Sequence, residues 1–496
     1  MTTETQSSLQ DRRWWVLALV GVAQLMVVLD STIVSIALPS AQHALHFSTE
    51  LRQWVITTYA LAFGSLLLVG GRIGDLFGRK WAFIGGAVGF AIASAVGGAA
   101  QSFGMLIAAR TAQGAFAAIL APSALALLTT TFAEGEERNK AFGVFAGIAS
   151  SGAVLGLLLG GVLTQLLSWR YCLFVNLAMA IPAAIGGLVL LVNEDRTDRT
   201  FLDTPGMLTS FGGLFCLVYG FSSAETHAWG APLTIVMLIA AGVLLAAFVV
   251  IESRVSNPLL PLRVIADRAR GGSFLAIAIA GIASLGAFLF LTYYMQETLH
   301  DSPIVTGLSF MPIAGSIAIA AAATNLALLS RLGPRPLMVV GSLLGAAAMV
   351  WLAQLTPTSN YVAGVLPGLI ILGFALGFMY GTAYFTSTYQ VDHQDAGVAS
   401  ALVDTMQQAG GAVGAALLST IFASALSAYA RGKPHTQQVL SAAAVHGYAA
   451  AFWVSAAIFA GGALVLAVTF PSINGSDAAG AMPTLATPTA AIPTPA

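Results

Sequence analysis

Apolar segments of about 20 residues recur along the whole chain, separated by short stretches rich in glycine, proline and charged residues. A helix of that length crosses the roughly 30 Å of hydrocarbon in a lipid bilayer. With the glycine, proline and charged clusters taken as span ends, the pattern predicts an all-α membrane protein with about fourteen transmembrane helices. The predicted limits are 14–38, 51–70, 81–99, 104–128, 141–164, 171–192, 206–222, 232–251, 272–294, 303–328, 336–353, 361–384, 397–424 and 449–471.

The composition agrees with a chain that lies mostly in lipid. The 496 residues have a mean hydropathy of +0.85, and only 8% of them are charged. Soluble domains carry about 25% charged residues and need them to cover their surface. The net charge of −1 gives no reason to expect a nucleic-acid partner. The chain has no P-loop, no metal-ligand spacing and no nucleophile–base constellation, so the sequence predicts neither an enzyme nor a bound cofactor or metal.

The distribution of lysine and arginine predicts the orientation of the spans. If the N-terminus is cytoplasmic, fifteen of the 20 basic residues fall on the inner side and four on the outer side, and Arg110 lies within a span. Cytoplasmic loops of membrane proteins carry the excess of basic residues. We therefore expect a multi-pass protein of the cytoplasmic membrane with both termini inside.

Three charged residues fall well within the predicted spans: Asp30, Arg110 and Asp404. Ionisable groups are costly in hydrocarbon, and those that occur there usually serve function. No span contains an internal lysine, which argues against a proton-pumping subunit of a respiratory complex. The intramembrane charges are therefore the first candidates for a functional site.

Asp30 and Arg110 are predicted to lie at the same depth. At 1.5 Å per residue, Asp30 is about 12 Å and Arg110 about 9 Å from the outer end of its span. Gln113 shares the helix face of Arg110 because it follows three residues later. We expect the three side chains to form one polar cluster. It is either a static ion pair that sets helix register or a switchable site that couples a proton to transport.

Asp404 lies about 10 Å from the inner end of its predicted span. It is interpreted either as a second cavity acid for a proton or a cationic ligand, or as a hydrogen-bonded residue near the cytoplasmic mouth. Gln407, three residues on, is a further candidate for polar contacts. Near span ends lie Tyr293, Tyr294, Tyr380 and Tyr384, which either anchor the chain at the membrane interface or in part line a cavity that holds a lipophilic cation.

Glycines follow two patterns that point to conformational change. In "GGRIGDLFGRKWAF" (70–83), Gly71 and Gly78 permit a sharp turn between two spans, Asp75 is placed to cap a helix or pair with an arginine, and Arg79 is placed to anchor to the anionic inner leaflet.

A second pattern repeats glycine every four residues, at Gly152, Gly156 and Gly160. Small residues at this spacing allow two helices to approach closely. They are interpreted as a hinge or close-packed seam between two halves of the molecule, with ordinary helix packing as the alternative. Gly410, Gly411 and Gly414 echo the pattern, which suggests two repeated halves.

Several of these segments together resemble motifs of the major facilitator superfamily, in particular its fourteen-span drug:proton antiporters. The matching segments cover the chain in order: "LDSTIVSIALP" (29–39), "GRIGDLFGRK" (71–80), "LIAARTAQGAFAA" (106–118), "SGAVLGLLLGG" (151–161) and "ESRVSNPLLPLRVI" (252–265). Leu157 stands where the antiporter motif usually has proline. The resemblance implies two six-helix bundles with an inserted central helix pair.

The resemblance implies proton-driven efflux of drugs, antibiotics or related lipophilic small molecules by alternating access. Asp30 and Arg110 would couple the proton, and the proton-motive force would replace any cofactor. The expected partners are a small-molecule substrate, protons and the bilayer, and a monomer suffices. An uptake symporter of the same fold and a non-transporting membrane sensor are the alternatives. The expected regions are an N-terminal tail (1–13), a first bundle (14–192), linkers with the inserted pair (193–271), a second bundle (272–471) and a disordered tail (472–496).

Overall fold

The computed structural model describes residues 3–48, 51–132, 136–192, 203–227, 229–255, 258–260, 262–388, 396–434 and 436–471. Within these ranges the chain is helical and contains no strand. The helices are α1 (Thr3–Leu45), α2 (Trp54–Phe77), α3 (Arg79–Gly98), α4 (Phe103–Thr131), α5 (Glu136–Leu166), α6 (Tyr171–Leu190), α7 (Thr204–His227), α8 (Pro232–Glu252), α9 (Leu262–Ala266), α10 (Arg268–Tyr293), α11 (Pro303–Ser309), α12 (Met311–Ala323), α13 (Leu329–Leu332), α14 (Pro334–Leu352), α15 (Leu366–Thr388), α16 (Ala396–Ala430) and α17 (Gln437–Thr469).

The described part of the chain contains twelve segments that are long and apolar enough to cross a membrane. The prediction of an all-α, multi-pass membrane protein is therefore confirmed. The predicted number of fourteen spans is not established. In α2 and α5 the apolar stretches that the described residues support are shorter, Trp54–Leu67 and Leu155–Leu166. The predicted tail at 472–496 lies outside the described residues.

The helix pairing of α1–α6 recurs in α10–α17. In the first series, α1 packs against α5 and α6, α4 packs against α2 and α3, and α3 packs against α6. In the second series, α10 packs against α16 and α17, α15 packs against α12 and α14, and α14 packs against α17. We call the two series the N-terminal half and the C-terminal half.

The helices α7 and α8 pack mainly against each other and form a hairpin. Contacts of α7 with α2 and α16 place this hairpin beside the line where the two halves meet. Thr420 on α16 donates a hydrogen bond of 2.8 Å to the carbonyl of Phe221 on α7. Through α7, the hairpin therefore touches both halves.

The halves are fastened together at the end of the molecule where α1 finishes. Arg52 and Glu297 form an ion pair of 2.5 Å across this end. The side chain of Gln296 donates to the carbonyl of Ile36 at 3.1 Å. Close backbone packing of α5 on α11 adds to these contacts, because a methyl group on Gly161 would lie 2.4 Å from the carbonyl oxygen of Pro303. We call this the closed end.

The glycine-rich segment 70–80 differs from the predicted loop. Helix α2 continues to Phe77, and the chain turns only at Gly78, whose φ is +91°. The preceding glycines serve packing instead of turning: a methyl group on Gly70 would lie 1.9 Å from the carbonyl oxygen of Ala118 on α4. Gly71 sits in the same helix, and Arg79 begins α3. The side chain of Asp75 lies outside the described residues.

The predicted seam of Gly152, Gly156 and Gly160 lies within the N-terminal half, so the interpretation as a contact between halves is wrong. A methyl group on Gly156 would lie 2.8 Å from the carbonyl oxygen of Leu29 on α1, and all three glycines face α1. Gly410 and Gly414 likewise face α10 within their own half. The small residues allow α1 and α5 to approach closely in the N-terminal half, and α10 and α16 in the C-terminal half. In the same segment, Leu157 and Gly161 meet α11 of the other half.

Candidate functional site

A buried ion pair joins α1 to α4. Arg110 Nη1 lies 2.5 Å from Asp30 Oδ2, and the two residues are 1% and 0% exposed. Neither charge could be held in such a place without the other, since an unpaired buried charge costs several kcal/mol. The pair is therefore a structural necessity in this conformation, whatever else it does.

Three further polar residues complete the surroundings of the Asp30 carboxylate. Gln113 Nε2 donates to Asp30 Oδ1 at 3.0 Å, and Asn176 Nδ2 donates to the same oxygen at 2.6 Å. Ser94 Oγ accepts from both amides, at 2.7 and 3.4 Å. With Arg110 on the other oxygen, the carboxylate receives three strong donors. This arrangement suits the ionised form of Asp30.

The rest of the Arg110 side chain binds α2. Its Nε donates to the carbonyl of Val55 at 3.1 Å, and its guanidinium lies 4.4 Å from the centre of the Tyr59 ring. Gly114 makes this approach possible, because a methyl group there would lie 2.4 Å from the carbonyl oxygen of Tyr59. The cluster thus ties together α1, α2, α3, α4 and α6. Any change in its charge acts on five helices of one half.

Asp30, Arg110 and Gln113, the residues expected to cluster, are brought together by the structure. Sequence reasoning missed Ser94 and Asn176. The signal for Asn176 was an isolated amide within the apolar run "CLFVNLAMA", which depth alone did not link to Asp30. Asp404 and Gln407 are not part of this cluster, since they lie on α16 in the C-terminal half.

Asp404 occupies a second, more open polar site. Tyr384 on α15 donates to Asp404 Oδ1 at 3.1 Å, and Gln407 Nε2 donates to the hydroxyl of Tyr380 at 3.3 Å. Tyr384 is 46% exposed and Asp404 is partly exposed. Among the described residues, no lysine, arginine or histidine forms a salt bridge with Asp404.

The Asp404 site lies near the boundary between the two halves, because α16 packs against α2 of the N-terminal half. Gly64 on α2 packs against Gln408, one turn after Asp404 along α16. A methyl group on Gly64 would lie 3.2 Å from the backbone nitrogen of Ala409. The same α2 helix supplies Val55 and Tyr59 to the Asp30 cluster. One helix of the N-terminal half therefore touches both polar sites.

Comparisons with known proteins agree with this architecture. The puromycin resistance protein pur8 of Streptomyces alboniger is 46% identical over 92% of this chain and 90% of its own length. The cephamycin export protein CmcT of Amycolatopsis lactamdurans is 38% identical over 83% of this chain and 85% of its own.

A solved structure shares the fold at low sequence identity. It is a bacterial homologue of the human lysosomal transporter Spinster, which matches with a TM-score of 0.65 and 15% identity over 92% of this chain and 98% of its own. The sequence model of the Major Facilitator Superfamily matches residues 20–415. The chain is thus a multi-pass membrane transporter and not an enzyme, and it belongs to the Major Facilitator Superfamily.

Proposed function

We propose that the protein exports drugs, antibiotics or related small molecules in exchange for protons, by alternating access. The observation that carries the proposal is the buried Asp30–Arg110 pair, an acid and a base at the centre of a polar cluster that ties together five helices. The two relatives above are described as a resistance protein and an export protein, which supports the outward direction. The proton-motive force replaces any cofactor.

The described conformation fits the deprotonated stage of such a cycle. Asp30 is fully buried and held by three donors, while the two halves are joined at the closed end. A proton on Asp30 would remove the negative charge that holds Arg110. The oxygen of the Asn176 amide has no hydrogen-bond partner among the described residues. A half-turn of that amide would present this oxygen to a protonated Asp30.

The mechanical route from this charge to the other half runs through α2. Arg110 holds α2 at Val55 and Tyr59, and α2 packs on α16 at Gly64. Weakening of the Asp30–Arg110 pair would release α2 from α4 and let its packing on α16 change. Protonation and the relative position of the halves are thereby coupled.

We further propose fourteen membrane spans, with α2 and α5 completing the twelve described above, and both termini in the cytoplasm. The two six-helix bundles are 14–192 and 272–471, and the functional unit is one monomer. On this topology the closed end faces outward. The turn at Gly78 with Asp75 and Arg79, and the α1–α5 packing of Gly152, Gly156 and Gly160, guide the movement of the helices.

In this cycle Asp404 contacts the substrate. Its carboxylate is partly exposed and has no basic partner among the described residues, so a cationic group on a substrate would find an uncompensated acid there. Tyr384 and Gln407 would position that group by hydrogen bonds. The Asp30 cluster is completely buried and offers no such opening.

The energy available is sufficient for export. A proton-motive force of about 150 mV is worth about 3.5 kcal/mol per proton. At about 1.36 kcal/mol for each tenfold step, one proton exchanged for one neutral substrate sustains about a 300-fold gradient.

The proposal is tested in respiring everted membrane vesicles that contain the protein, with a pH-sensitive dye and a panel of antibiotics and lipophilic cations. Export predicts that a substrate enters the vesicles and partly collapses ΔpH, which empty vesicles do not show. Substrate leaving the vesicles together with protons would instead establish an uptake symporter. Accumulation that is insensitive to ΔpH would contradict proton coupling.

A further inference from the structure

The base of the α7–α8 hairpin carries a second pair of buried acids, which the proposed transport cycle does not use. Asp203 immediately precedes α7, and Glu252 is the last residue of α8. They are 6% and 3% exposed. One oxygen of each binds the backbone: Asp203 Oδ1 accepts from the N–H of Gly206 at 2.9 Å, and Glu252 Oε2 accepts from the N–H of Leu260 at 2.9 Å.

The remaining oxygen of each acid is buried and has no hydrogen-bond donor among the described residues. Both oxygens face Gly206. A methyl group on this glycine would lie 2.3 Å from Asp203 Oδ2 and 2.6 Å from Glu252 Oε1, so the two oxygens are no more than about 5 Å apart. The two carboxyl groups therefore face each other at the position of Gly206. Glycine at position 206 leaves the space in which they meet.

Two charged groups act on Glu252: Asp203, just before α7, and Arg72 from α2. Arg72 Nη2 also donates to the carbonyl of Pro258 at 2.8 Å. Pro258 belongs to the linker segment 258–260, whose Leu260 N–H is held by Glu252. The start of α7, the end of α8, this linker and α2 therefore meet at one point.

Two ionised carboxylates cannot hydrogen-bond to each other, because both are acceptors only. In a buried place they would also repel strongly. A single proton makes one of them a donor and satisfies both unpartnered oxygens at once. We propose that Asp203 and Glu252 hold one proton between them and so form a proton-dependent clasp that fastens the α7–α8 hairpin to the linker.

This clasp is a proton-binding site apart from the Asp30 cluster, so its failure and the failure of the transport proposal are distinguishable. Removal of the proton leaves two adjacent negative charges at the base of the hairpin. Wild-type protein should therefore lose thermal stability as the pH is raised from about 6 to about 9. Arg72, by its charge, favours the release of this proton and links the clasp to α2.

The test uses the purified full-length protein with Asp203→Asn, Glu252→Gln and Glu252→Ala variants. An amide in place of one acid keeps the backbone bond and donates permanently to the other carboxylate. Glu252→Gln and Asp203→Asn should match the wild-type Tm near pH 6 and exceed it at about pH 9, by on the order of 2 °C. Glu252→Ala should be less stable at both pH values. Glu137→Gln, which alters an acid outside this site, should keep the wild-type profile.

Infrared spectroscopy gives a direct second readout, because only a protonated acid has a carboxylic C=O stretch. Wild type should show such a band at neutral pH that is lost in both amide variants and retained in Glu137→Gln. The clasp is refuted if the amide variants leave the carboxylic band unchanged, or if Glu252→Gln is as unstable as Glu252→Ala. A wild-type Tm raised by Na⁺ or K⁺ over choline, with that response lost in Glu252→Gln, would show a metal cation in place of the proton.

Discussion

The two intramembrane acids of this transporter, Asp30 and Asp404, lie in contrasting surroundings. Asp30 is sealed in the N-terminal half, paired with Arg110 at 2.5 Å and bound by two amides. Asp404 is partly exposed in the C-terminal half, with a tyrosine hydroxyl at 3.1 Å and no salt bridge among the described residues. The two halves share a helix arrangement but stabilise an intramembrane acid differently: one by a buried ion pair, the other by partial exposure and a hydrogen bond.

The contrast assigns the two acids different work in the proposed cycle. Neutralisation of a buried, paired charge such as Asp30 changes the structure, because Arg110 loses its ion-pair partner. A partly exposed charge without a basic partner instead attracts a cation from outside. We therefore expect substitutions near Asp30 to affect folding and coupling together, and substitutions near Asp404 to affect substrate preference.

Removal of Arg110 should have the largest effect. Arg110→Ala leaves the Asp30 carboxylate buried without its cation, which costs about 3–5 kcal/mol. We expect a large fall in Tm and loss of transport. Thr111→Ala, one residue further along α4 at an exposed position, is the matched control and should behave as wild type. An Arg110→Ala protein as stable as the control would show that the pair does not hold the N-terminal half together.

Overpacking of the α1–α5 contact should come next. In Gly156→Leu the new side chain meets Thr32 Oγ1 at 2.0 Å and the carbonyl oxygen of Leu29 at 2.8 Å, both close to Asp30 in α1. The expected loss is about 1–3 kcal/mol, seen as a lower Tm. Gly85→Ala serves as control, since a methyl group there has nothing within 4 Å. Equal Tm values for the two variants would show that close packing of α5 on α1 does not stabilise the region around Asp30.

Neutralisation of Asp404 should change selectivity with little effect on stability. Asp404→Asn is expected to raise the KM for cationic substrates about 10-fold, worth about 1.4 kcal/mol, and to leave the KM for neutral substrates unchanged. Tyr384→Phe removes the hydrogen bond to Asp404 but keeps the carboxylate, so it should have a smaller effect. Equal changes for neutral and cationic substrates would contradict a cation contact at Asp404.

Removal of the Arg52–Glu297 ion pair at the closed end should have the smallest effect. By letting this end open more often, it should make Asp30 more accessible and so bring its exposure nearer to that of Asp404. Arg52→Gln removes an ion pair whose Arg52 side chain is 5% exposed and whose Glu297 side chain is 35% exposed, so about 1 kcal/mol, the upper end of the range for surface pairs, is at stake. The population open at this end should rise by about 5-fold.

Spin labels on Leu166→Cys and Leu308→Cys, with Cys172 and Cys216 replaced by serine, would report the opening as a longer distance between α5 and α11. An unchanged distance distribution in Arg52→Gln would show that backbone packing alone, such as that of Gly161, keeps this end closed.

The sequence contained enough to predict the helical membrane architecture and the core of the first site. Hydropathy located the spans, and counting residues at 1.5 Å each placed Asp30 and Arg110 at one depth. The sequence did not assign Ser94 and Asn176 to the cluster, because a single polar residue in an apolar span does not reveal which neighbouring helix it faces. Similarly, the spacing of Gly156 and Gly160 predicts a close helix contact but does not identify α1 as the partner helix.

The measurement closest to the central claim is transport by Asp30→Asn in proteoliposomes, with wild type beside it. Asparagine has nearly the shape of the acid but cannot release or take up a proton. The account predicts that the variant still exchanges labelled for unlabelled substrate across the membrane, and that it no longer accumulates substrate when ΔpH is imposed. Accumulation by Asp30→Asn at the wild-type level would contradict the claim that Asp30 couples protons to export.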